Sequence, residues 1–410
     1  VTADVLSDVP DALSDVTVRC ERAVGRVTTL APDGTVSSRT TAFHGGRVVY
    51  GNGRGHRVFS GDMPGPRPLR LPEPGPLEEG EAVRAALGAL HARFGGAAEL
   101  CCTAVSAVRA VDGPYRVTGP SLQERRVWSL TGDVTLPDGR RVPVGRSGRG
   151  PALAYVADAA WAERTEWLCR AVGEAGPVEA GDHAAVLSPQ AAGVLLHEAA
   201  GHFAEAAPYG APALDHRLGC RIADERISLD DDPLADGGPS RYTADDDGVQ
   251  ALGRTRIVHE GRLVRQLHGV ASATAARAMP TASSRAASVL QAPLPRMSNL
   301  VCSPGDATLD ELADATGRGL LVHRVADGIS RGGTVEARLV LGERIEHGRR
   351  TGRYVTGRVT ERTDVLTRVT GVGRVTEFGD NALCGKAGQL LFDVGTCAPA
   401  LRLSRLRCVP

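Results

Sequence analysis

One segment constrains this chain more than any other. Ser188-Pro189 opens the run Ala191-Ala192-Gly193-Val194-Leu195-Leu196-His197-Glu198-Ala199-Ala200-Gly201-His202, where two imidazoles and a carboxylate sit among small and apolar residues. Ser188 suits an N-cap and Pro189 the first helical position, so a helix over 190–205 is expected. A carboxylate in so apolar a setting is costly unless it is paired, hydrated or near a cation. The two histidines are five residues apart. At about 100° per residue, side chains four apart share a helix face, whereas side chains five apart diverge by about 140°. Two readings follow. Either these are unrelated buried histidines, or they chelate one ion on a helix that widens by a π-turn or ends near Gly201. Gly201, directly before His202, is the residue expected to tolerate such a backbone. The arrangement is the His-Glu-x-x-His zinc motif with one residue inserted.

A catalytic zinc needs a third protein ligand and an open fourth position. Of the nine cysteines, Cys102, Cys169 and Cys302 lie in apolar runs, where a free thiol packs as a small hydrophobe. Cys384 lies in a polar, glycine-rich stretch over 379–389, and Lys386 follows two residues on, where an ammonium lowers a neighbouring thiol's pKa. Lys386 is also the chain's single lysine among 48 basic residues, the other 47 being arginine. Together with the abundance of Ala, Gly and Val, that bias marks a GC-rich coding sequence, so a residue it disfavours draws attention. On the residues alone, Cys384 is one candidate among several cysteines, histidines and carboxylates.

The length of 410 residues suits two or three domains. Short β-type runs over 14–60 and a Pro-rich connector over 63–76 precede a helix over 77–94. Strands over 104–111 and 126–136 and a helix over 159–172 follow. Beyond a junction at 173–181 come a strand over 183–187 and loops over 207–250. The acidic runs Asp230-Asp231-Asp232 and Asp245-Asp246-Asp247 lack EF-hand spacing and read as solvated loops. Strands at 254–259, 262–268, 334–341, 353–359, 364–370 and 373–378, with a helix at 309–316, complete the pattern. The expected fold class is α+β: an α/β N-terminal domain, 1–175, then a β-rich C-terminal domain, 176–410, carrying the metal site. A net charge of zero disfavours nucleic acid or an anionic membrane as partner. No apolar stretch is long enough to span a bilayer. The first residues, Val1-Thr2-Ala3-Asp4-Val5, lack the basic and apolar regions of a secretory signal. With an odd number of cysteines in no paired spacing, a cytoplasmic location is expected.

His197-Glu198-Ala199-Ala200-Gly201-His202, Pro293-Leu294-Pro295-Arg296-Met297-Ser298-Asn299 and Cys384-Gly385-Lys386-Ala387-Gly388-Gln389 together resemble the TldD/PmbA family of metallopeptidases. The resemblance covers about 180–395 and is loose over 1–150, which is shorter than the usual family N-terminal part. It implies a zinc held by His197, His202 and Cys384, with Glu198 as general base, as in catalytic TldD-type subunits. It further implies a zinc-dependent peptidase that takes unstructured peptides as an added β-strand with low sequence selectivity. The family includes members that mature peptide natural products. The implied partner is a PmbA/TldE-type subunit in a heterodimer, or a second copy in a homodimer. Alternative functions are non-proteolytic tailoring of a natural product by the same zinc site, or the role of a non-catalytic PmbA-type partner subunit. Arg296 and Lys386 are candidate substrate-binding residues, although a salt bridge or loop anchor fits Arg296 better. The family often has Glu-Gly-Asp after the second histidine. Here Phe203-Ala204-Glu205-Ala206 follows, so Glu205 alone corresponds.

Overall fold

The computed structural model describes residues 17–50, 55–61, 70–77, 80–112, 121–206, 217–380 and 383–410. The turn expected at 51–53, the first half of the Pro-rich connector (63–69) and the loop segment 207–216 lie outside the described residues.

The N-terminal half is built on one antiparallel sheet. Its strands are β1 (Thr17–Leu30), β2 (Val36–Tyr50), β3 (Gly55–Ser60), β4 (Ala98–Asp112), β5 (Ser121–Thr135) and β6 (Arg141–Arg149), ordered β3-β2-β1-β4-β5-β6. Helix α1 (Gly80–Arg93) buries Val83, Leu87 and Leu90, which recur at helical spacing. A short helix, α2 (Ala152–Val156), precedes α3 (Ala159–Glu174). The α3 N-cap is Asp158, whose carboxylate accepts the N–H groups of Ala160 and Trp161. Leu87, Leu100, Trp128, Leu130 and Trp161 share one core with Val340 and Leu341 of the C-terminal half, so the two sheets are joined by packing.

The C-terminal sheet has eleven strands. Its segments, in chain order, are β7 (Gly176–Pro177), β8 (Gly181–Leu187), β9 (Leu229–Asp231), β10 (Thr255–His259) and β11 (Arg262–Leu263). After the small ladder β12 (Ser284–Arg285) and β13 (Leu294–Pro295) come β14 (Asn299–Cys302), β15 (Gly319–Arg331), β16 (Thr334–Glu346), β17 (Arg349–Arg362) and β18 (Val369–Phe378). A hairpin of β19 (Cys384–Lys386) and β20 (Gln389–Leu391) precedes the last strand, β21 (Gly395–Val409). The sheet order is β11-β10-β9-β14-β21-β8-β15-β16-β17-β7, with β18 on β21. Mixed helix and a dominant share of strand give the expected α+β class. Part of 364–370, expected as strand, is instead a 3-10 turn over Val365–Arg368, where Arg368 pairs with Glu361 and Asp364. Among the described residues no helix is long and apolar enough to cross a membrane.

Two features of this sheet position the site. The helix after β8, α4 (Pro189–Leu196), lies on the sheet and buries Leu195 and Leu196 in a core with Leu320, Leu401 and Leu403. Its N-cap, Ser188, accepts the Ala191 N–H and donates its hydroxyl to the His323 carbonyl at 2.7 Å, tying the helix start to β15. Strand β15 pairs in parallel with β8 only through Leu320–Val322, then continues to Arg331 with β16 on one side. Among the described residues, 324–331 has no strand on its other edge, and Arg324, Asp327 and Gly328 line a cavity with Val194, His197 and Glu198.

The acidic runs are not solvated. Asp230, Asp231, Asp245 and Asp246 are all buried. Arg256 pairs with Asp230, and the N–H and hydroxyl of Ser298 donate to Asp231 at 2.7 and 2.9 Å. Arg109 reaches Asp246 from β4 at 2.6 Å. Each carboxylate replaces its lost water with donors from elsewhere in the fold.

Candidate metal centre

Helix α4 runs directly into a π-turn over His197–Gly201, followed by α5 (His202–Ala204). The His202 N–H bonds to the His197 carbonyl, five residues back. That one-residue widening brings round two side chains that a regular helix would splay apart. The imidazole centroids are 4.7 Å apart and nearly perpendicular. Gly201 is present for a different reason from the one its position suggests. Its φ of −60° and ψ of −53° are ordinary helical values that any residue adopts. A Cβ there would lie 2.2 Å from Met297 Sδ, so any larger residue would force the buried Met297 side chain to move.

The third side chain arrives on the β19–β20 hairpin. Its two-residue loop, Ala387-Gly388, has positive φ at both positions, 49° and 74°, as a type I′ turn requires. Because strand side chains alternate, Cys384 and Lys386 point to the same face. Cys384 Sγ lies 3.7 Å from His202 Nε2. The ligating atoms of His197, His202 and Cys384 all fall within 4.8 Å of one another. Among the described residues this is the one such cluster of three.

The donors fit a zinc ion. Two neutral imidazoles and a thiolate around zinc at about 2.0–2.3 Å place ligand atoms about 3.3–3.8 Å apart in a tetrahedron. Burial pushes the Cys384 thiol up, but the neighbouring His197 and His202, with Arg296 behind them, outweigh it and bring the thiol down to about 5. The sulfur is therefore poised as a thiolate at neutral pH.

Behind the cluster, Glu205 collects donors. His202 Nδ1 is 2.9 Å from its Oε2, and Lys386 Nζ donates to the same oxygen at 2.6 Å. The Met297 N–H donates to Oε1 at 3.0 Å, and Arg296 Nε lies 3.8 Å from that oxygen. Burial alone would raise this carboxyl, but His202 and Lys386 hold it well below the usual range. A carboxylate on Nδ1 fixes the tautomer that turns Nε2 toward Cys384 and the cavity. Lys386 thus reaches the site through Glu205 rather than through the thiolate. Arg296 is fully buried and donates to the Cys384 carbonyl at 2.6 Å, which makes it an anchor of the hairpin.

Glu198 stands apart from these pairs. It is buried, yet among the described residues its carboxylate has no hydrogen-bond partner. It lines a cavity of about 350 Å³ together with His197, His202, Cys384 and Gly328. A second cavity of about 310 Å³ shares His197, Glu198 and Gly328 and extends along β15 to Arg324. At Gly328 a Cβ would lie 2.9 Å from Val194 Cγ1 and 3.2 Å from Glu198 Oε1, so no side chain fits between the strand and the carboxylate. Sequence reasoning did not single out β15 or Met297. A glycine inside a strand is the available signal for Gly328, because it marks close approach of backbone to another group.

With this geometry in place, the relatives can be compared. A family profile described as the PmbA/TldA metallopeptidase C-terminal domain matches residues 180–409, more than half of the chain. The chain therefore belongs to the PmbA/TldD family. It is 33% identical over 263 residues to a metalloprotease of Methanothermobacter thermautotrophicus, covering 59% of this chain and 55% of that one. A zinc metalloprotease TldD homolog of Saccharolobus solfataricus is 28% identical over 238 residues, covering 56% of this chain and 52% of its own. The chain thus spans about half the length of the curated relatives it matches. Its fold is like that of TldE from Thermococcus kodakarensis, with a TM-score of 0.69, 14% identity and 97% of each chain covered.

Proposed function

We propose that this chain is a zinc-dependent peptidase of the TldD type that hydrolyses unstructured peptides. The observation that carries this reading is one arrangement: His197, His202 and Cys384 converge beside an unpaired Glu198, under the open edge of β15. The curated relatives named metalloprotease support it. Zinc bound by those three residues supplies a Lewis acid that polarises a carbonyl and acidifies water. Glu198 is the base: its carboxylate takes the proton from the attacking water and returns it to the leaving amine. Glu205 holds His202 in place through Nδ1 throughout. The free N–H and C=O groups of 324–331 orient the peptide as an added strand. Those bonds read main chain, so selection among side chains is weak. Gly328 lets the peptide backbone come up to Glu198.

The chain works in this proposal with a PmbA/TldE-type partner or a second copy, a reading supported by its likeness to the TldE fold. All nine cysteines are free, which supports a cytoplasmic setting. The decisive experiment is zinc quantification and digestion of an unfolded peptide by the chain, alone and with a co-expressed partner. Glu198→Gln should retain stoichiometric zinc and lose at least about 100-fold in turnover. A variant as active as the parent removes Glu198 from the chemistry. A protein without zinc defeats the reading altogether.

A further inference from the structure

The cavity that begins at Glu198 continues along β15 to Arg324, four residues before Gly328. Four residues of regular strand would span about 13 Å, and the bulge at Ala326–Ile329 shortens that. The guanidinium there is poorly satisfied for its burial. Its Nε is buried and has no protein partner. One terminal nitrogen donates to the Gly145 carbonyl at 3.4 Å, and the other lies 3.8 Å from Asp380 Oδ2, beyond hydrogen-bond length. Asp380 is shared with Arg164, 3.9 Å away. Asp327, which lines this cavity together with Glu198, is occupied by Arg338 at 2.5 Å. Arg285, in contrast, is buried with close acceptors: Met297 O at 2.7 Å and Asp393 Oδ1 at 2.6 Å. Arg19 and Arg296 also keep unpaired N–H groups, but neither lines this cavity. A guanidinium offers five donors in a planar fork that matches a carboxylate. Arg164, Arg324 and Asp380 leave one positive charge in surplus where the fork stands.

We propose that the Arg324 end of this cavity is a carboxylate subsite. A peptide added to the open edge of β15 sets an acidic side chain, or its own C-terminal carboxylate, against Arg324. That carboxylate lies about three to four residues from the bond beside Glu198. The proposal rests on the peptidase reading and gives an otherwise unselective cleft one preference.

The test uses the zinc-loaded full chain and two families of paired peptides. One family exchanges Glu for Gln at each internal position in turn; the other exchanges a free C-terminus for an amide. The parent protein should favour the carboxylate member of one pair about tenfold or more in kcat/KM. Arg324→Gln should bring that ratio close to one, and Arg324→Lys should leave it in between. The pair that shows the preference identifies the source of the carboxylate. A ratio of one for every pair in the parent protein overturns the subsite, as does a preference that survives in Arg324→Gln. Should Arg324→Gln fail to fold, the parent and Arg324→Lys ratios decide. If no peptide is hydrolysed, the peptidase reading falls, and the same ratios measured as Kd on the parent chain decide the subsite separately.

Discussion

The candidate metal pocket and the junction between the two sheets both bury ionised side chains, and they treat them in opposite ways. At the junction every named charge is matched. Arg109 sits between Glu21, at 2.8 Å, and Asp246, at 2.6 Å. Asp393 receives Arg125 from the N-terminal sheet at 2.9 Å and Arg285 at 2.6 Å. In the pocket only the outer layer is matched, where Glu205 gathers His202, Lys386 and the Met297 N–H. The inner layer keeps Glu198, the thiolate and the imidazole nitrogens turned toward open space. Buried charge by itself does not mark function in this chain. What sets the pocket apart is that its unmatched groups line a cavity.

The two regions are also in contact. Arg285 donates to both Asp393 and the Met297 carbonyl, and the Met297 N–H holds Glu205. The largest effect should come from breaking the matched region. Asp393→Ala leaves Arg125 and Arg285 buried without their shared acid, which should cost about 3–5 kcal/mol in denaturant unfolding. A loss below about 1 kcal/mol would mean that the junction is not a dry, matched cluster, and the contrast with the pocket would fail.

A smaller effect of the same pair appears against pH. Burial pushes the Asp393 carboxyl up, but Arg125 and Arg285 outweigh it and hold it at about 2, below its ordinary 3.8. A carboxyl depressed by folding adds stability above its unfolded pKa and loses it as pH falls toward the folded value. Roughly 2 kcal/mol should therefore disappear between about pH 4 and about pH 2. In Asp393→Asn, unfolding followed across that window should lack this increment. An unchanged slope would assign acid sensitivity to other carboxylates.

Parts of this arrangement were legible in the sequence for definite reasons. The five-residue spacing of His197 and His202 allowed one-ion chelation only if the helix widened by a π-turn or ended near Gly201, and a π-turn is there. The helix expected at 309–316 is present as Leu309–Thr316, opened by a capping box between Thr308 and Glu311. Cys384 stood out from the cysteines in apolar runs by its polar, glycine-rich stretch and by Lys386, but only the family resemblance made it a ligand. The buried acids were misread because their partners are remote: Arg109 lies 137 residues from Asp246. The open edge of β15 was hidden because bulges after Val322 and Ala326, with Asp327 at a φ of 56°, break the two-residue period. Gly201 drew notice for the right position and the wrong cause, since packing against Met297 is invisible in a local reading.

The finest test of the contrast concerns Lys386, where the matched outer layer meets the open inner one. Its ammonium is 2.6 Å from Glu205 Oε2 and 3.4 Å from the Pro295 carbonyl. Lys386→Met removes an ammonium from a fully buried carboxylate that still has to accept from His202 Nδ1. Glu205 then holds the imidazole less firmly, and zinc affinity should fall about tenfold, as for other loosened supports of a ligating histidine. Global unfolding should move less than in Asp393→Ala, because Glu205 keeps His202 and the Met297 N–H as partners. Lys386→Arg retains the charge but brings a bulkier, planar head into the space beside Pro295, so its zinc affinity should fall between the two. Competition with a chelator of known affinity reads both variants directly. If Lys386→Met binds zinc as the parent does, Glu205 is held by Met297 and Arg296 alone. The outer layer would then be as over-determined as the junction, and the chain's single lysine would reflect codon use.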